Sequence, residues 1–219
     1  MNAPQRFRAA CFAIEGINSF AVVIYFNYLY FFFRDRFGFN DQQNLLLAAF
    51  IGLIYTVASW QAGRFAHRCG HFTALKTGFG VMAVGLLVGA QLDSVAGSIA
   101  AACVINIGMC FIWPTLEALV SEGDAPEHVP HAVGIYNITW AATNALAFFI
   151  GGTLIERFGY RCMFYLPLAF MLLQLGMVFW LEKIHPLTLS PAPKAISLPD
   201  PNRPSAARAR NFQRMAWLA

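Results

Sequence analysis

Charge is scarce in this 219-residue chain, where Asp, Glu, Lys and Arg make up 12% of the residues against roughly 25% in a soluble domain. With 58% of the residues hydrophobic and 15% aromatic, an ordinary water-soluble fold is excluded. Enzyme signatures are also missing. There is no G-x-x-x-x-G-K-[ST] phosphate loop, no G-x-S-x-G nucleophile and no H-E-x-x-H zinc site, so neither ATP-driven pumping nor hydrolytic catalysis is written into the chain, and it is not expected to be an enzyme. Cys11, Cys69, Cys103, Cys110 and Cys162 form an odd set without a CxxC pair and read as packing residues. His67 and His71 stand at i, i+4 but have no carboxylate between them and lie in a basic loop. No metal site and no cofactor are expected.

What is present is long apolar runs. A bilayer crossing needs about 20 apolar residues, and six stretches meet that length: 9–33, 45–62, 74–92, 96–120, 132–155 and 162–181. The first follows Arg6 and Arg8 and resembles a signal peptide, but it exceeds the usual h-region and lacks a small-residue cleavage site, so it is expected to remain as the first span. Residues 1–182 therefore read as a six-span transmembrane domain, all α. Residues 183–211 are rich in proline and polar side chains and read as a disordered cytosolic linker. Residues 212–219 turn apolar again and look like the start of a seventh span, cut short.

The net charge of +4 sets orientation and implies no nucleic-acid partner. Lys and Arg side with the N-terminal face by eleven to four, which puts both termini in the cytosol of a multi-pass protein in the cell membrane.

Gly63, Arg68 and Gly70 recur as Gly152, Arg157 and Gly159 at a constant offset of 89. Spans one to three thus resemble spans four to six. Because three is odd, the copies sit in opposite senses, a 3+3 inverted repeat of the kind transporters use.

Polar side chains within spans are expensive unless they face a cavity or a partner helix. Asn106, Cys110, Trp113 and Glu117 share one face of the fourth span; Tyr136, Trp140, Thr143 and Asn144 share one face of the fifth. The first span contributes Glu15, Asn18, Ser19 and Tyr25, and the second a face of Gly52, Thr56, Ser59 and Gly63. Spans one, two, four and five are expected to line a water-filled path, with Asn18, Tyr25, Asn106, Trp113, Glu117, Tyr136, Trp140 and Asn144 facing a substrate cavity. Helix-to-helix hydrogen bonds are the alternative for any one of them. The third and sixth spans are almost wholly apolar and are expected to face lipid. Glu15 and Glu117 are candidates for proton coupling, unless Glu117 reaches the interface and Glu15 pairs with Arg6 or Arg8. Pro114 should bend the fourth span, and Gly85 and Gly89 have small-xxx-small spacing for a close helix contact.

The segment from Gly63 to His71, with Arg68 and Gly70, resembles the G-x-x-x-D-[RK]-x-G-[RK] signature between the second and third spans of the major facilitator superfamily, with His67 at the Asp position and His71 at the last basic one. The run around Trp113, Pro114 and Glu117, and the run from Ala132 through Tyr136 and Trp140 to Arg161, resemble that family too. The resemblance covers about residues 8–182. It implies the N-terminal half of a twelve-span secondary transporter that carries a small organic solute by alternating access. The remaining partners would be the lipid bilayer and a C-terminal six-span half or a second copy, with this chain a fragment or a truncated frame. The family's Asp is implicated in closing the cytosolic side, and His67 does not carry that role over. A non-transporting membrane remnant or scaffold is the alternative function; a six-span channel of the aquaporin type would need Asn-Pro turns that do not occur here.

Overall fold

The computed structural model describes residues 3–122, 124–125 and 127–184. The expected linker and the expected seventh span lie outside the described residues. Six helices follow in order: α1 (Ala3–Phe37), α2 (Asp41–Cys69), α3 (His71–Gly89), α4 (Val95–Val120), α5 (Val129–Phe158) and α6 (Cys162–Ile184). All six are long and apolar enough to cross a membrane. Most outrun the apolar stretches because charged termini such as Arg34, Asp35 and Arg36 stay helical beyond the hydrocarbon. α3 instead stops at Gly89, before Leu92, since Ser94 needs extended backbone (φ −111°, ψ 149°) to accept the Gly97 amide and cap α4. The tight α1–α2 turn ends in a capping box, in which Asn40 accepts from the Gln43 amide and the Gln43 side chain accepts from the Asn40 amide.

The inverted repeat is visible in the turns and in the packing. Gly70 closes α2 at φ 89°, and Gly159 closes α5 at φ 73°, conformations that a side chain would strain and glycine adopts freely. These are the glycines that the offset of 89 paired. Helix pairing obeys the same exchange: α1 packs on α5 as α4 packs on α2, and α1 on α6 as α4 on α3. The pairs α1/α4 and α3/α6 map onto themselves, as a two-fold relation between the triplets requires.

α3 meets α4 backbone to backbone. A Cβ on Gly78 would lie 2.8 Å from the Gly108 carbonyl oxygen, and one on Gly108 would lie 2.9 Å from that of Gly78. Further along the same face Gly85 rests on Ile105 and Gly89 on Ala101. α3 and α6, expected to face lipid, thus also carry buried faces, while Val84, Leu87 and Val88 of α3 and Leu172, Leu173, Phe179 and Trp180 of α6 are exposed. In the most apolar stretch of α3, 56% of residues are buried and in α6 33%, against 17% in α2 and 11% in α5. An apolar side chain suits lipid and a packed helix equally, so the lack of polar groups on α3 did not reveal its glycine face. Long exposed stripes also run along α2 (Leu46, Phe50, Leu53, Val57, Trp60) and α5 (Ile135, Ile138, Leu146, Phe149).

Ion pairs tie the helix ends together at both faces. Arg8 reaches Asp124, and Lys76 lies 2.9 Å from Glu182. On the opposite face Arg34 pairs with Asp41, Arg36 with Asp93 at 3.1 Å, and Tyr160 donates to Asp35. Burial and then this hydrogen bond push the Tyr160 phenol up to about 12.

Candidate functional site

The polar face of α4 divides by depth. Asn106 is buried, and its side-chain amide donates to the Ile51 carbonyl on α2 at 2.9 Å; Cys110 donates to the Asn106 carbonyl at 3.2 Å. One turn further on, Pro114 has no amide hydrogen to give the Cys110 carbonyl, which loosens α4 at that point. Beyond it the face opens into a groove of about 280 Å³, lined by Tyr55 of α2, Trp113, Pro114 and Glu117 of α4, and Tyr136, Asn137 and Trp140 of α5. Four of the lining residues are aromatic, with apolar ring faces, and Glu117 supplies a negative charge that forms no ion pair among the described residues.

Behind the groove Glu15 is completely buried. An ionised carboxylate there needs donors, because burial without them costs several kcal/mol, on the order of 2–7 even for a neutral polar group. Two hydroxyls supply them. Ser19, one turn along α1, donates to Oε1 at 2.5 Å, and Tyr136 of α5 donates to Oε2 at 2.8 Å. The Tyr136 hydroxyl also lies 3.3 Å from the Trp113 carbonyl oxygen. Glu117 stands within electrostatic reach of Glu15, and the buried Trp113 indole N–H lies close enough to the same carboxylate to act as a third donor. The alternative pairing of Glu15 with Arg6 or Arg8 is not formed; Arg8 turns to Asp124.

Of the cavity candidates, Trp113, Glu117, Tyr136 and Trp140 share the groove. The others are placed differently. Asn18 is fully buried with neither side-chain polar atom partnered, and Tyr25 is buried against Phe26 and Phe164 with its hydroxyl unpartnered. Asn106 is spent on the α2 backbone. Asn144 is half-buried and lies outside the groove's lining. A shared helix face does not tell a groove from a neighbouring helix, and the closely packed α1 and mid-α4 face helices. Tyr55 and Asn137 were missed; each sits beside a singled-out residue, Thr56 and Tyr136, and Asn137 stands i, i+3 to Trp140. In the signature loop His67 and Arg68 are exposed at the end of α2, Gly63 has open space where a Cβ would go, Gly70 makes the turn, and His71 begins α3.

The profile of the Major Facilitator Superfamily matches residues 7–218. Fifteen chains of known structure also match. One of them, the POT family transporter PepTSo in its in meso crystal structure, superposes with a TM-score of 0.73 at 18% identity, over 87% of this chain and 40% of that one. The chain thus spans well under two thirds of that transporter's length. A search of curated proteins found no match. Six apolar helices in two inverted triplets, together with a family profile that runs through nearly all of the sequence, establish that this is a multi-pass membrane protein and that the chain belongs to the Major Facilitator Superfamily.

Proposed function

We propose that the groove between α2, α4 and α5 is the part of a solute-binding site that this six-helix unit contributes, and that the protein moves a small organic solute by alternating access. The observation that carries this reading is the convergence of Tyr55, Trp113, Glu117, Tyr136, Asn137 and Trp140 on one groove, with a second, buried carboxylate directly behind it. Rings with apolar faces beside an amide and a carboxylate suit a sugar or an amphipathic organic molecule. A second six-span unit, either another chain segment or a second copy, would close the groove by packing on the exposed stripes of α2 and α5. Transport would be driven by a gradient, with Glu15 or Glu117 carrying a proton. The positive-inside bias supports a cytosolic side for both termini and the cell membrane as the location.

The test has two parts. In a background with the five native cysteines replaced, single cysteines at Trp113, Glu117, Tyr136 and Trp140 should react with a membrane-impermeant thiol reagent faster than cysteines at Gly78 or Met82 on the packed face of α3. Vesicles carrying the protein with its completing half, under an imposed proton gradient, should accumulate one class from a panel of labelled sugars, peptides and organic acids, and Trp140→Ala should reduce it. Equal labelling at all positions together with no accumulation would overturn the reading.

A further inference from the structure

Tyr136 belongs to two places at once. Its ring lines the groove, and its hydroxyl holds Glu15. That hydroxyl has one hydrogen and two acceptors within reach, Oε2 of Glu15 at 2.8 Å and the Trp113 carbonyl at 3.3 Å. The second acceptor is the carbonyl immediately before Pro114, at the loosened point of α4, and the flanking Trp113 and Glu117 also line the groove. The three elements meeting there are α1, α4 and α5, and α1 belongs to one inverted triplet while α4 and α5 belong to the other.

We infer that Tyr136 is the positioning residue through which the proton on Glu15 and the occupant of the groove sense each other. This rests on the transport reading above. With Glu15 ionised, the carboxylate is the stronger acceptor, so the Tyr136 O–H points at Oε2 and the Trp113 carbonyl goes without it. When Oε2 takes up a proton from the groove side, a new O–H bond forms there and the carboxyl becomes a donor. It then donates to the Tyr136 oxygen, and Tyr136, keeping its own hydrogen throughout, turns that hydrogen to the Trp113 carbonyl. No charge moves beyond the one proton, yet its presence on α1 is transmitted to the α4 backbone at the groove's edge. Ser19 is not part of the exchange, because it donates to the other carboxylate oxygen.

The titratable groups facing this point are few. Glu117 comes from α4, and Tyr55 of α2 lies within electrostatic reach of Tyr136. On α1 itself Ser19 is the neighbour, and no Lys, Arg or His among the described residues forms an ion pair with Glu15. The coupling is therefore between one carboxyl and one phenol, with the Trp113 indole as a further, non-titrating neighbour of that carboxyl, and among the described residues Glu117 is the nearby carboxylate that must be silenced to see it.

The groove indole of Trp140 supplies the readout. Trp60→Phe, Trp113→Phe, Trp180→Phe and Trp217→Phe leave Trp140 as the only tryptophan, with the carbonyl of residue 113 kept, and Glu117→Gln removes the competing carboxylate. In phosphatidylethanolamine and phosphatidylglycerol vesicles the emission of this full chain should titrate with pH. Glu15→Gln and Tyr136→Phe should each abolish the titration, while Ser19→Ala keeps it. A titration that survives Glu15→Gln overturns the coupling reading, and the inference with it. One that vanishes in Glu15→Gln but survives in Tyr136→Phe leaves Glu15 as the proton site and overturns the role of Tyr136. Should Tyr136→Phe fail to fold by circular dichroism, 3-fluorotyrosine at position 136 retains ring and hydroxyl with altered acidity; a shifted midpoint supports the inference, and an unshifted one overturns it.

Discussion

At Asn18 the amide nitrogen and oxygen are both buried with no partner, whereas Glu15, one turn away, has a donor on each oxygen. An unsatisfied buried polar group costs about 1–3 kcal/mol. Asn18→Leu should therefore raise thermal stability in detergent by about 1 kcal/mol, as read from the unfolding midpoint; a loss would mean that the amide is engaged by a water or a solute. Glu15→Leu should act in the opposite sense, because it strands the hydroxyls of Ser19 and Tyr136. Tyr160 gives a pH-dependent case. Its phenol titrates near 10 when unfolded and at about 12 when folded, so the folded state binds more protons between those values. Stability on this account is complete below about pH 10 and falls as pH rises toward 12. The fall should be shallower in Tyr160→Phe, measured by alkaline denaturation. None of these three environments was legible from the sequence. Glu15 and Tyr136 are 121 positions apart, and only tertiary packing decides which of several polar residues on α1 receives the donors.

Whole helices were far easier to read. Apolar length, the Gly and Pro punctuation and the offset of 89 gave six spans and their repeat, because each of these signals is local or periodic. Packing partners were not local, and α3 shows the result: its glycines read as a weak spacing at Gly85 and Gly89, although the closest approach is at Gly78, against Gly108. Gly108→Val should lower stability by about 1–3 kcal/mol through overpacking, because its Cβ would already sit 2.6 Å from Met82 Cγ. Gly80→Ala, with nothing within 4 Å of its Cβ, should be neutral or slightly stabilising. Comparing the two unfolding midpoints checks the crossing directly. At the other end of α4, Pro114→Ala restores an amide for the Cys110 carbonyl and should straighten the helix. The measurable consequence is slower thiol labelling of a cysteine placed at Glu117.

Over the whole six-helix unit, the two triplets are related by one two-fold exchange, but their sequences are free to differ where function requires. The offset of 89 takes Glu15 on α1 to Val104 on α4, so at this pair of positions one triplet carries a buried carboxylate bound by a phenol and the other an apolar side chain. The exposed stripes on α2 and α5 make a prediction at this scale. Leu53→Glu and Phe149→Glu should each impair association with a completing six-span unit while leaving the helical content of this chain unchanged, as judged by co-purification and circular dichroism. The same charges placed at Gly85 should instead prevent folding.

The mutual glycine crossing of α3 and α4 also has a mechanical meaning. α3 is the last helix of one triplet and α4 the first of the other, and at Gly78 and Gly108 their backbones approach closely, with Ile112 and Met82 packed against the same spot. A seam of that kind leaves no cushion for sliding, since even a small shear would drive carbonyl oxygens into the opposing chain. The triplets are thereby riveted together, and the compliant parts of the unit lie away from the rivet, at the loosened turn of α4 near Pro114 and along the sparsely packed α5.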